Sequence, residues 1–127
     1  MNRLGMIVDL SHAGKQTCLD AIEVSNKPVA ISHANPNFFH KSKRNIDTDI
    51  LQKLVKKNGF IGLSLYPYHL KNLGDCTIED FCEMIKELVN LIGEDNIGIG
   101  SDLCLNWPDD VVMWMRNGKW TKNIDYG

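Results

Sequence analysis

The chain has 127 residues and a mass of 14.4 kDa, with 43% hydrophobic and 24% charged residues. That is enough for one compact domain and too little for two, and the ordinary composition excludes disordered, collagen-like and low-complexity classes. Fourteen basic against sixteen acidic side chains give a net charge of −2 without any block of like charge, so a polyanion-binding surface has no support and nucleic acid is not an expected partner.

No apolar run approaches the roughly 18 to 20 residues of a membrane span. Met1 is not followed by a signal-peptide pattern, and it reads as an internal methionine, so the compartment stays unassigned. The cysteines, Cys18, Cys76, Cys82 and Cys104, are scattered without a CxxC pair. They read as free thiols, three of them among apolar neighbours as small core side chains.

In chain order, residues 5–11 (GMIVDLS) are β-branched and apolar and end in a polar turn, which predicts a buried strand. Residues 15–25 place Cys18, Ala21 and Ile22 on one helical face. Asn26 and Pro28 stop that helix, and residues 28–32 (PVAIS) open a second short strand. A loop rich in Asn, Pro, Phe and Lys runs to Asp47. Asp47 or Thr48 then caps a helix carrying Ile50, Leu51, Leu54 and Val55, with Gly59 as its stop. The run GFIGLSLY forms a third strand.

Thr77, followed by Glu79 and Asp80, marks the start of the most regular helix. Ile78, Phe81, Cys82, Ile85, Leu88, Val89 and Ile92 recur along it at three- and four-residue spacing, and Gly93 closes it. Residues 96–102 (NIGIGSD) predict a fourth strand. The tail beyond Leu103 carries Trp107, Trp114 and Trp120, read as packing residues.

The order β-α-β-α-β-α-β with continuously apolar strands predicts a parallel sheet covered by helices. An open doubly wound sheet and part of a (β/α)8 barrel both fit. No GxGxxG or GxxxxGK[ST] is present, so nucleotide-cradling loops are absent. The polar strand ends are more informative: the first closes in Asp9, Leu10, Ser11 and His12, the second in Ser32 and His33, the fourth in Gly100, Ser101 and Asp102. In parallel α/β architectures such ends share one rim where catalytic groups converge. Two imidazoles and a carboxylate there suit a divalent metal such as zinc, with the carboxylate as ligand or proton acceptor. His40 and His69 read as solvated loop residues, and Arg44, after Lys41 and Lys43, taken alone reads as part of a solvated charge run.

At these residues the chain resembles the membrane (renal) dipeptidase family, peptidase family M19. Met1 to His12 reads MNRLGMIVDLSH, similar to the family's signature strand MNxLGMxVDLSH. PVAISHAN at 28–35 resembles its second histidine strand, and Arg44 with Asn45 its RN motif. The run at 59–62 resembles its GG-type strand, and Gly98, Ile99, Gly100, Ser101 and Asp102 resemble its GxGSD strand.

The resemblance implies a partial (β/α)8 TIM barrel, strands five to eight with their helices, as a single partial domain over 1–127. It implies a two-zinc centre hydrolysing dipeptides by a metal-activated water. His12 and His33 would ligate one zinc, Asp102 would act on the bridging water or carry its proton to the leaving amine, and Arg44 would hold the dipeptide's terminal carboxylate. The family's His-x-Asp pair and bridging Glu are expected upstream of Met1, so only part of the ligand set is present. After Asp102 the family's Phe-Asp-Gly type continuation is replaced by Leu103, Cys104, Leu105 and Asn106. Half a barrel exposes strand edges, so the isolated chain is expected to be inactive, and to be unstable or to self-associate unless the missing N-terminal half completes it. Two other readings stand beside this one: another metal-dependent amidohydrolase of the same barrel class, and a non-catalytic remnant or interaction protein.

Overall fold

The computed structural model describes residues 1–103, 106–108 and 111, and among these three α-helices and three parallel strands alternate along the chain. Helix α1 spans Lys15–Val24 and buries Cys18 and Ile22, one turn apart. It ends one residue earlier than the sequence predicts, because Ser25 is already extended and its hydroxyl bonds the Lys27 carbonyl.

Helix α2, Thr48–Lys56, follows Asp47 in the N-cap position and buries Ile50, Leu51 and Leu54. Asp49 lies in its first turn and Lys53 and Lys56 in its last, matching the helix dipole at both ends. Asp47 makes no capping bond of its own. Its carboxylate is held instead by Lys15 Nζ at 2.8 Å and Asn37 Nδ2 at 2.6 Å, which ties the start of α1 to the start of α2. The predicted stop at Gly59 comes a residue early: Asn58 takes the left-handed conformation at φ 54, which asparagine tolerates.

Helix α3, Ile78–Ile92, starts with a full capping box between Thr77 and Asp80 and ends at Gly93, φ 80. Its inner face is Phe81, Met84, Leu88 and Ile92. Ile78 and Cys82, which the spacing puts in the apolar set, are exposed instead. The stripe that meets the core is narrower than the run of apolar residues, and Met84 lies at its centre.

The strands are β1 (Ala30–Ala34), β2 (Phe60–Leu63) and β3 (Ile97–Ile99), in spatial order β1-β2-β3 and parallel throughout. The second and fourth predicted strands are thus found, shifted by two residues and shortened respectively. Pairing continues past β3, where Gly100 N donates to Leu63 O and Leu65 N to Ser101 O. The first predicted strand is reduced to one parallel bridge, Asp9 to Ala30, with Leu10 N donating to Ala30 O and Ala30 N to Val8 O. Met6 and Ile7 stand 52% and 71% exposed along this edge, so the apolar side chains that would make it a buried strand lack a covering face among the described residues.

The core lies between sheet and helices. Ile31, Leu51, Leu54, Ile61, Leu63 and Leu88 are fully buried in one cluster, and α2 touches α1, α3 and β2. Among the described cysteines, all free, Cys18 is buried in the core as expected, Cys76 packs half-buried against it and Cys82 is exposed. Trp107 is exposed rather than packed. Cys104, Trp114 and Trp120 lie outside the described residues. Among the described residues no helix is long and apolar enough to cross a membrane.

Candidate active site

The C-terminal ends of the strands carry the polar residues. Between Ile31 and Ala34 the register of β1 against β2 slips: three steps along β1 match two along β2, from Ile61 to Leu63. The extra residue falls at Ser32 and His33. Such a bulge re-aims side chains at the end of a strand, and here it delivers His33 to the rim. Glycines make room for it. A Cβ at Gly62 would lie 2.2 Å from the Ser32 carbonyl oxygen and one at Gly100 only 1.7 Å from it, both far inside contact distance. The ends of all three strands therefore converge on the Ser32 backbone.

His12, after the bridge segment, and His33, after the bulge, meet edge to edge. Their Nε2 atoms are 3.0 Å apart and their rings cross at 61° with centroids 5.0 Å apart. Two nitrogen ligands of one tetrahedral zinc, each about 2.0–2.1 Å from the ion, lie about 3.3 Å apart. The pair therefore has the spacing and chemistry of two donors to a shared ion. Among the described residues no group of three His, Cys, Asp or Glu side chains is close enough to hold a metal, so these two do not by themselves make a metal site.

Arg44 arrives from the loop between β1 and α2. It is half-buried, not solvated, with Nη1 donating to the Ser11 carbonyl at 2.9 Å and Nη2 lying 3.2 Å from His12 Nε2. Burial lowers its pKa, with Asp102 opposing. Partial burial, then the Arg44 guanidinium and then His33 disfavour protonation of His12. Asp102 sits just beyond the β3 pairing in the left-handed conformation at φ 56, and its charge acts on His12, Arg44 and His69. Of the sequence-predicted residues, His12 thus touches both His33 and Arg44, with Asp102 as a nearby charge.

Two features went unread in the sequence. One is the support beneath the histidines. Asp9 accepts from Ser11 N (3.1 Å), Ser11 Oγ (2.6 Å), Ser32 N (3.0 Å) and Ser32 Oγ (2.5 Å). Burial works against its charge, but these bonds outweigh it and hold the carboxyl well below the usual carboxylate range. The available signal was the repeated Ser-His pair, Ser11-His12 and Ser32-His33.

The other is a buried amide network joining the loops. Asn35 Nδ2 donates to Ser64 O and His69 O at 3.0 and 3.1 Å, and its Oδ1 accepts from Ser64 N at 3.1 Å. Asn45 Nδ2 donates to His69 O and His40 O, while its Oδ1 accepts from Asn35 N. His69, expected in solvent, is 2% exposed, with Nδ1 2.9 Å from Ser64 Oγ. Burial, and next the Arg44 charge, push its pKa down to about 4. Its place in a loop after the third strand predicts a solvated residue, but the turn at Pro67–His69 folds the imidazole inward. His40 is half-buried.

The family model for membrane dipeptidase, peptidase family M19, matches residues 1–109. The chain is 31% identical to dipeptidase tcpJ of Claviceps purpurea, over 98% of this chain and 32% of that protein. It is 35% identical to an amidohydrolase from Pseudomonas aeruginosa, whose crystal structure superposes with a TM-score of 0.88 over 100% of this chain and 40% of that one. A metallo peptidase from Rhodobacter sphaeroides, solved with a phosphinate mimic of the dipeptide L-Ala-D-Ala, is 28% identical, with a TM-score of 0.75 over 80% of this chain and 30% of that one. The chain spans about a third or less of the length of the curated relatives it matches.

Proposed function

The chain belongs to the membrane dipeptidase family, peptidase family M19, a metallopeptidase family, and on that premise we propose that it supplies part of the active site of a zinc-dependent dipeptidase. The observation that carries this reading is the meeting of His12 Nε2 and His33 Nε2 at 3.0 Å, with Arg44 beside them. In this reading the described elements are strands five to eight of a (β/α)8 barrel. The apolar edges at Met6, Ile7 and Ile99 pair with further strands, either the N-terminal half of the barrel or a second copy of the chain, and 1–127 is one partial domain, inactive alone.

His12 and His33 would hold a divalent ion such as zinc through their imidazole lone pairs, and the chemistry it would supply there is a water of lowered pKa and a polarised scissile carbonyl. Arg44 turns its planar fork to the terminal carboxylate of the dipeptide and so sets the register of the scissile bond. Asp102 takes a proton from the attacking water and delivers it to the leaving amine. The C–N bond breaks and two free amino acids result. The dipeptide mimic bound to the Rhodobacter sphaeroides peptidase supports this substrate class.

The similarity to an amidohydrolase favours a second reading, hydrolysis of another amide by the same rim. One experiment on the native protein carrying this sequence separates the two: metal content, then turnover of L-Ala-D-Ala against its C-terminal amide. The dipeptidase reading expects stoichiometric zinc, loss of zinc in His12→Ala or His33→Ala, and a KM about 10- to 100-fold higher in Arg44→Gln, the cost of a charge-assisted bidentate contact. Equal turnover of dipeptide and amide supports the amidohydrolase reading, and absence of stoichiometric zinc overturns both.

A further inference from the structure

We infer that Asp9 and Ser32 are positioning residues that lock His33 in a single tautomer, protonated at Nδ1, with its Nε2 lone pair aimed at the rim. The inference follows from counting protons. Asp9 receives two backbone N–H groups, from Ser11 at 3.1 Å and Ser32 at 3.0 Å, and a backbone N–H can only donate. It also receives the hydroxyls of Ser11 and Ser32 at 2.6 and 2.5 Å, lengths typical of O–H bonds to an ionised carboxylate. A serine hydroxyl has one proton, and both are directed to Asp9. The 3.0 Å between the two hydroxyl oxygens reflects their shared attraction to that carboxylate.

Ser32 Oγ therefore has only lone pairs left for His33 Nδ1, 2.8 Å away, and the imidazole must be the donor. A neutral imidazole with its proton on Nδ1 has an acceptor at Nε2. Ser11 Oγ completes the frame by accepting the backbone N–H of His33 at 3.2 Å.

The same count on the other histidine gives a matching result. Arg44 Nη2 can only donate, so His12 Nε2, 3.2 Å away, is an acceptor. Both Nε2 atoms are thus acceptors, 3.0 Å apart with no proton between them, and the single lone pair of His12 is engaged by the Arg44 guanidinium. That arrangement is repulsive alone and favourable around a cation. Asp9 and Ser32 thereby prepare His33 as a metal donor before any metal arrives, which is how partners of the non-ligating nitrogen tune histidine ligands generally. This consequence rests on the metal-dependent reading; the tautomer itself does not.

The test is nitrogen-15 NMR of the imidazoles in the metal-free full chain, paired with zinc affinity from chelator competition. The wild type should show His33 protonated at Nδ1 and bare at Nε2. Ser32→Ala and Asp9→Asn should each give a tautomer mixture with zinc affinity weakened 10- to 100-fold, while Ser32→Thr, which keeps the hydroxyl, should restore both. A wild-type His33 carrying its proton on Nε2, or a Ser32→Ala chain with an unchanged tautomer, overturns the inference. The Nδ1-protonated tautomer with no zinc bound at all supports the positioning role and overturns the metal reading instead.

Discussion

Replacing Asn35 by alanine should destabilise the protein by about 3–5 kcal/mol. Asn35 is fully buried, and its side chain makes three hydrogen bonds that stitch the end of β1 to the end of β2 and to the His69 turn. Each such bond contributes about 1 kcal/mol net, and a buried group left without its partner costs about 1–3 kcal/mol more. The alanine removes the partner of both the N–H and the C=O of Ser64, whereas His69 O keeps its bond from Asn45. Asn35→Asp sharpens the argument, because it retains the acceptor for Ser64 N but places a carboxylate oxygen against two carbonyls. The pKa of that introduced carboxyl is raised in the folded state, so the variant should lose stability as pH rises through the acid range. The assay is urea unfolding of the full chain, with Gln52→Ala on the exposed side of α2 as a control expected within about 0.5 kcal/mol. A loss below about 1 kcal/mol in Asn35→Ala would refute the view that this amide holds the rim loops together.

Gly100→Ala should cost roughly 1–3 kcal/mol or more and weaken zinc binding, because the new Cβ would meet the Ser32 carbonyl oxygen at 1.7 Å, a backbone atom that cannot rotate away. Gly98→Ala, with open space at its Cβ, is the comparison, and equal unfolding midpoints for the two would contradict the proposed crowding. Stability should also depend on His69. Its folded pKa, about 4, lies below the unfolded value of 6.5, so the unfolded chain binds the proton first. The stabilisation is complete above pH 6.5 and is lost as pH falls towards 4, up to about 2 kcal/mol by pH 5. His69→Gln should flatten that part of the pH profile, and an unchanged slope in the variant would exclude His69 as its source.

Local chemistry made much of this protein legible without a structure. The alternation of apolar strands with helical periods, the Thr77–Asp80 capping box and Gly93 stop of α3, and the strand-end positions of His12, His33 and Asp102 all depend on residues close in sequence, whose spacing determines their geometry. What needed the tertiary structure depends on neighbours far along the chain. Residues 5–11 have the pattern of a buried strand, yet only one bridge forms there, because burial is decided by what covers an edge and not by the side chains themselves. His69 follows a polar-looking turn but is enclosed by Asn35, Asn45 and Ser64, drawn from the loops after two different strands. Arg44 leaves its lysine-rich run to reach His12, 32 positions away. The bulge at Ser32 and the glycines facing it arise from strand register, which sequence periodicity does not record. Spacing marked which residues end the strands. Only packing decided which of their atoms meet.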